Sequence, residues 1–223
     1  MVLATSNGTI KKTLLEAYSR PRANGIIAVN LREGDALIGA ALTSGNCEIL
    51  LAGNQGKCCR FEEEEARAIG RNSTGVRGID LEEDDYVVGM VCIDPAEQAL
   101  KPLDILVVSE NGFGKRSGLE EYRKTHCGSK GVKTINITEK TGKLIALKAV
   151  SDENDLMIIN RSGITIRMPA DSIRVAGRAT QGVKLISIRE GDSIAAGCVV
   201  SKEEENENTA VPEENTETEN NNQ

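Results

Sequence analysis

Aromatic residues make up only 2 % of the 223 residues, and tryptophan is absent. That scarcity counts against modules that stack RNA or single-stranded bases on aromatic rings. It also counts against an aromatic-lined ligand pocket. Histidine occurs once, as His126, so a Ser/His/Asp or Cys/His centre would have to be built on it. His126 lies in the loop sequence HCGSKG, where the neighbouring Cys127 points elsewhere, and no catalytic residue is expected in this chain. The six cysteines (47, 58, 59, 92, 127 and 198) include no C-x-x-C pair. A zinc site would need thiolates from unrelated segments, so reduced cytosolic thiols and no metal are the expectation. No apolar run approaches the ~18–20 residues of a membrane span. The start, MVLATSNGTIKK, lacks the basic-then-apolar pattern of a secretory signal, so a cytoplasmic protein without membrane partners is expected. The N-x-S/T triplets headed by Asn7, Asn72, Asn136 and Asn160 are then without consequence. The glycine-rich GFGKRSG (112–118) lacks the spacing of a phosphate loop and falls on a hairpin rather than before a helix.

The chain does contain a repeat. Four segments begin alike: NGTIKKT from Asn7, QGKCCRF from Gln55, NGFGKRS from Asn111 and SGITIRM from Ser162. Each follows a short apolar run, and the anchor glycines Gly8, Gly56, Gly112 and Gly163 mark β-hairpin turns that require φ > 0. A second element follows in every copy: NGIIAVNL, TGVRGIDL, KGVKTINI and QGVKLISI, with glycines Gly25, Gly75, Gly131 and Gly182. A third begins after an acidic or glycine turn: EGDALIGAALT, EDDYVVGMVCI, TGKLIALKAV and EGDSIAAGCVV. The first-to-second glycine spacings are 17, 19, 19 and 19 residues. Each copy holds about four short strands and almost no helical periodicity, which predicts an all-β, propeller-like array of about four four-stranded blades. Repeats fall near 1–46, 47–99, 100–152 and 153–201. The missing Trp-Asp and Gly-Gly signatures exclude the WD40 and kelch blade types.

The charge divides unevenly. Of 34 Asp+Glu and 27 Lys+Arg, eight glutamates and one lysine lie in residues 202–223, leaving 26 of each sign in 1–201. That last stretch has too little apolar surface to fold and reads as a disordered acidic tail. Within the repeats, bases cluster after the first glycines: Lys11, Lys12, Lys57, Arg60, Lys115, Arg116, and Arg167 in the last copy. A second set lies before or at the second glycines: Arg20, Arg22, Arg67, Arg71, Lys124, Lys130, Arg174, Arg178. A third lies just past them: Arg77, Lys133, Lys184. Acids gather in the third turns, as at Glu33, Asp35, Glu82 to Asp85, Glu190 and Asp192. Because the units repeat, each set recurs at an equivalent radial position, which predicts a basic rim suited to the phosphates of double-stranded DNA. Arg60 and Arg167 have an alternative reading as partners of acids in the next blade. The run Glu62 to Glu65 reads as a solvated loop.

The stretches NGTIKKT, SRPRANGIIAVNLREGDALIGAALTSG, RAIGRNSTGVRGIDLEEDD, NGFGKRSGLEEYR and GRATQGVKLI resemble the C-terminal domain of the bacterial DNA gyrase A protein, over residues 1 to about 201. The resemblance implies a β-pinwheel: a disc of blades with a strand exchanged between neighbours and DNA wrapped around its rim. It implies part of an ATP-dependent type II topoisomerase that supports DNA supercoiling. ATP and Mg²⁺ would be used elsewhere in the holoenzyme. The partners would be double-stranded DNA, the rest of the gyrase A protein and the gyrase B protein, on the chromosome. The family usually has six blades, and the four copies match the last four, so a truncated or fragmentary form is expected. The QRRGGKG-type box of the family's first blade is absent, which leaves wrapping incomplete in this chain alone. The family's catalytic tyrosine belongs to another domain, so Tyr18, Tyr86 and Tyr122 are not nucleophiles. The alternatives are a topoisomerase IV relative and a propeller-like protein-interaction scaffold. The acidic tail is expected either to compete with DNA for the rim or to serve solubility.

Overall fold

The computed structural model describes residues 1–202; the tail from residue 203 onward lies outside the described residues. The first copy contributes β1 (Val2–Thr5), β2 (Thr9–Lys12) and β3 (Leu37–Ala41), and the second β4 (Glu48–Gly53), β5 (Lys57–Glu62), β6 (Val76–Arg77) and β7 (Val87–Ile93). The third contributes β8 (Asp104–Ser109), β9 (Phe113–Gly118), β10 (Val132–Lys133) and β11 (Leu144–Val150). The fourth contributes β12 (Asn154–Asn160), β13 (Thr165–Pro169), β14 (Val183–Lys184) and β15 (Ile194–Ser201). A short helix, α1 (Pro95–Leu100), bridges the second and third copies. It has Pro at its start, and the Asp94 side chain accepts from the Ala96 N–H. The repeat pattern does not announce it, although Asp-Pro is a common helix start.

Each first glycine closes a hairpin as expected. Gly8 N–H donates to Thr5 O at 3.1 Å, and Gly56, Gly112 and Gly163 repeat the bond to Gly53, Ser109 and Asn160. The exchange of strands follows from the second glycine. β6 pairs with β2 (Thr9↔Arg77, Ile10↔Val76), β10 with β5 (Lys57↔Lys133, Cys58↔Val132) and β14 with β9 (Phe113↔Lys184, Gly114↔Val183). Each of these three sheets therefore takes its outer strand from the following copy. The sheet orders are β3-β1-β2-β6, β7-β4-β5-β10 and β11-β8-β9-β14. A side chain at Gly75, Gly131 or Gly182 would sit within about 2.5 Å of a backbone carbonyl of the accepting strand, so close approach as well as positive φ requires glycine there.

The all-β, four-blade expectation holds; three sheets have four strands and the fourth has three, β13-β12-β15, among the described residues. No described residue beyond the last copy donates a strand to it. Likewise NGIIAVNL in the first copy, expected as a strand, forms none, because the described residues hold no earlier sheet for it to join.

Core packing links neighbours in series. Ile10, Ile49, Leu51, Phe61 and Ile79 join the first and second sheets, and Leu50, Val91, Ile105, Val107, Leu119 and Tyr122 join the second and third. Leu106, Val108, Leu156, Ile158 and Ile173 join the third and fourth. Burying each large side chain of this kind stabilises by about 1.5–3 kcal/mol relative to exposure. The middle sheets are covered on both faces, which is why β4 and β8 read as continuous apolar runs (EILLAG, DILVVS) rather than alternating ones.

Candidate nucleic-acid interface

Several of the hairpin cations are turned into the protein rather than out to a rim. Arg60 on β5 sits against its own hairpin partner strand: its Nε donates to the Glu48 carboxylate at 2.7 Å. Its Nη1 donates to the carbonyls of Leu119 and Tyr122, both at 2.8 Å, on the 3-10 turn Leu119–Glu121 of the next copy. Arg116 on β9 repeats the arrangement. It faces Asp104 at 3.5 Å and Asp152 at 2.5 Å, and its Nε donates to Ile173 O at 3.0 Å beside the turn Ala170–Ser172. Lys12 on β2 donates to Glu63 O at 2.9 Å on the turn Glu63–Glu65. One position in the repeat thus clamps each sheet to the next, because a 3-10 turn leaves carbonyls pointing at its neighbour. Arg167, at the same position in the last copy, donates to its own hairpin's Asp155 at 2.7 Å. Glu48 and Asp155, the acids that Arg60 and Arg167 meet here, belong to their own blades.

One residue earlier, Lys11 and Lys115 are interior. Lys115 has no exposed surface; its Nζ donates to Gly177 O at 2.7 Å and Ser117 Oγ at 3.2 Å. Lys11 is 1 % exposed and donates to Ala28 O at 2.9 Å and to Arg71 O. Both lysines hold carbonyls of the loop that precedes a second glycine. Burial lowers the Lys115 pKa to about 8, with Glu121 opposing that shift and Arg178 adding to it. Burial and the Arg71 charge lower that of Lys11. Lys11, Lys115, Arg116 and Arg60 are accordingly removed from the expected set of phosphate contacts: a side chain wrapped in protein carbonyls does not reach a duplex.

The other two sets are placed differently. Arg20, Arg22, Arg67, Arg77, Lys124, Lys130, Lys133, Arg174 and Lys184 are all exposed. Some carry surface partners: Arg77 faces Asp80 at 3.3 Å, Lys133 Nζ donates to Asn136 Oδ1 at 3.4 Å, and Lys124 lies between Glu48 (2.6 Å) and Glu62 (2.5 Å). Lys57 is half-buried and pairs with Glu82. Arg71 and Arg178 are half-buried and tie the loop together. Arg71 donates to Ile27 O at 2.5 Å, and Arg178 donates to Glu121 O at 2.8 Å and Lys133 O at 2.6 Å. An open groove of about 800 Å³ is lined by Arg20, Arg22, Asn24, Ile27, Arg71 and Asn72. Another, of about 680 Å³, gathers Lys140, Lys184 and Arg189 beside the Asn111-Gly112 turn, with Glu190 and Asp192 on its edge. Arg32 and Arg77 share a third beside the Asn7-Gly8 turn. Arg32, Lys140 and Arg189 were not among the expected residues. They lie in or beside the third turns, and the acids there masked them in the sequence.

Those acids have a local task. The Asp35 carboxylate accepts from Ser6 Oγ, Asn7 N and Ala36 N, all at 2.9 Å, and Asp192 accepts from Asn160 Nδ2 (2.6 Å) and Ser162 Oγ (2.7 Å). Each pins a first-glycine turn. Burial works against the charged form of Asp35, but the hydrogen bonds outweigh it and its pKa is lowered. The Glu62 to Glu65 run is not the expected solvated loop. Glu63 is 1 % exposed and accepts from Thr43 Oγ1 at 2.7 Å and Cys47 N at 3.1 Å. His126 is exposed, 3.3 Å from the Glu65 carboxylate, and Cys127 donates through sulfur to Arg77 O.

A family model described as the DNA gyrase C-terminal domain, β-propeller, matches residues 1–44, 48–94, 103–151 and 154–197. The DNA gyrase A protein of Staphylococcus epidermidis is 39 % identical over 206 residues, covering 92 % of this chain and 23 % of that protein. The DNA gyrase A protein of Salmonella typhimurium is 45 % identical over 192 residues, covering 86 % and 21 %. The chain thus spans under a quarter of the length of these relatives. Among solved structures, the C-terminal domain of DNA topoisomerase IV superposes with a TM-score of 0.82 at 24 % identity, over 90 % of this chain and 61 % of that one. The DNA gyrase A C-terminal domain superposes with a TM-score of 0.76 at 22 % identity, over 88 % and 64 %. At such identities the structures speak to fold alone.

Proposed function

The chain belongs to the DNA gyrase C-terminal domain family, and from that premise we propose that it binds duplex DNA without sequence preference and bends it around an outer rim. The observation that carries this reading is the recurrence of exposed cations in one loop of every copy, within a folded region that is neutral overall. The residues assigned to phosphates are Arg20, Arg22, Arg67, Arg77, Lys130, Lys133, Arg174 and Lys184, joined by Arg32, Lys140 and Arg189; Lys12, Lys57, Arg71, Lys124 and Arg178 support them. Phosphate contacts of this kind fix position without reading bases. Their free energy offsets the cost of bending DNA, of order 1–6 kcal/mol for 40–90°.

In this reading the chain performs no bond chemistry. It presents a bent segment to the rest of the gyrase A protein, which with the gyrase B protein carries out ATP- and Mg²⁺-dependent supercoiling in the cytoplasm, on the chromosome. Residues 1–201 form the binding domain and 202–223 a separate acidic tail. The test is binding to duplexes of unrelated sequence over a range of salt. Equal affinities that fall steeply with salt are expected; salt-independent binding, or none at low salt, would overturn the reading.

A further inference from the structure

The three internal joints between copies bring the same two positions together. Each third turn carries one residue at positive φ: Gly34, Asp84, Gly142 and Gly191, at +75°, +58°, +68° and +81°. Asp84 is the only non-glycine residue in that conformation among the described residues. Two residues earlier stand Arg32, Glu82, Lys140 and Arg189. At the third joint the Lys140 ammonium lies over the Phe113 ring, 5.4 Å from its centroid. At the middle joint the Glu82 carboxylate accepts from the Lys57 ammonium. At the first joint Arg32 and Thr9 line one groove. Phe113, Lys57 and Thr9 each stand one residue past a first glycine, so the contact is the same in construction and differs in charge.

In the first and third joints the third-turn residue is a cation and the strand residue is neutral. Arg32 shares its groove with Arg77, and Lys140 shares its own with Lys184, each pair beside an Asn-Gly turn. In the middle joint the order is reversed: the cation is on the strand, the third-turn residue is an acid, and the two meet. Lys133, equivalent to Arg77 and Lys184, is exposed there as well. The hydrogen bond and charge of Lys57 hold the Glu82 carboxyl below its usual pKa, and the Lys130 charge adds to that. A carboxylate under the charge of two lysines offers the same negative oxygens as the phosphate proposed for the neighbouring joints.

We propose that Glu82 fills the middle joint in place of a DNA phosphate, so that the duplex is gripped at the first and third joints and passes over the second. The inference rests on the duplex-binding reading and adds which joints carry it. An exposed ion pair is individually weak, and the consequence lies in the counterions. A lysine already neutralised by its own chain displaces none from DNA, whereas each cation at the other two joints displaces about one. One acid therefore sets where along the array the DNA backbone is held.

Duplex affinity of the whole chain, measured against salt, separates Glu82 from the general acidity of its turn. Glu82→Gln frees Lys57, while Glu83→Gln removes the same charge from the next residue, which is also exposed. Glu82→Gln should raise affinity severalfold at moderate salt and steepen the slope of log affinity against log salt by about one. Glu83→Gln should leave the slope as it is. In a Lys57→Met background the gain from Glu82→Gln should vanish. Both glutamates are exposed, so melting temperatures should stay near wild type, which checks the fold. Equal slopes for the two glutamine variants, or a gain that survives without Lys57, would overturn the inference and leave duplex binding standing. No salt-dependent binding by the wild type and Glu82→Gln alike would overturn the duplex-binding reading itself, and the inference with it.

Discussion

The hairpin strands and the loops before the second glycines carry the same kind of residue to opposite ends. NGTIKKT and NGFGKRS each hold two adjacent cations, and so, in looser spacing, does SRPRANG. Yet Lys115 and Arg116 lie inside the molecule while Arg20 and Arg22 lie in water. The difference is what surrounds each. β9 runs between two other sheets and is covered on both faces, so its long side chains end on carbonyls of the next copy. The loop has the rest of the molecule on one side only. Cations of the first kind hold the blades in line, and cations of the second kind face solvent, where the proposed phosphate contacts would form.

The largest effect that sharpens this contrast is on binding. The variant R20E/R22E/R174E/K184E should lower duplex affinity well over tenfold at moderate salt, and should lower the slope of log affinity against log salt by about 3–4. Its melting temperature should stay near wild type, since exposed charges away from buried networks change stability little. Next comes stability. Arg60→Met leaves Glu48 buried with only Lys124 beside it and strips the next copy's turn of its donor. Urea unfolding should show a loss of about 3 kcal/mol, the low end for a broken buried pair. Arg167→Met, on the more exposed last sheet, should cost about 1 kcal/mol or less. Equal losses at the two sites would erase the distinction between inner and end sheets.

A smaller effect is the pH dependence of the buried lysine. Its folded pKa, about 8, lies below the ordinary 10.5. For a base held low, the folded state sheds its proton first, so stability rises with pH between those two values. Wild type should therefore gain on Lys115→Met as pH climbs from about 8 toward 10.5, read as the difference between their urea midpoints. A constant difference would mean that Lys115 is not buried in solution. At the acid end, Asp35 is held below its usual pKa, so its share of stability is present at neutral pH and lost as pH falls through the folded value. Asp35→Asn should flatten that acid limb.

The turns were legible in the sequence because glycine at φ > 0 has few substitutes, and four spaced copies fixed the blade architecture. Strand exchange was not legible from residues; it entered with the family resemblance, since a two-residue ladder such as Val76–Arg77 has no period of its own. The hairpin cations were misplaced for a physical reason. Alternation separates inside from outside only when one face of a sheet is wet; in β9 neither is, and in β5 the polar side chains are only part-exposed. Glu63 misled in the same way: four glutamates in a row read as solvated, and one of them anchors a turn. Arg32 and Arg189 were hidden by the acids close by in sequence, of which Asp35 and Asp192 pin hairpin turns while the arginines are exposed.

The division between the two sets of cations is tested most directly by one titration: duplex DNA affinity against salt for the wild type and for K11M/K115M. The variant removes two lysines that sit at the ends of the most basic motifs but touch only protein. An unchanged salt slope is the predicted result, with at most a modest loss of affinity as the loops at Arg71 and Arg178 loosen. A slope reduced by about two, one for each lysine, would put both side chains on phosphates and contradict the account.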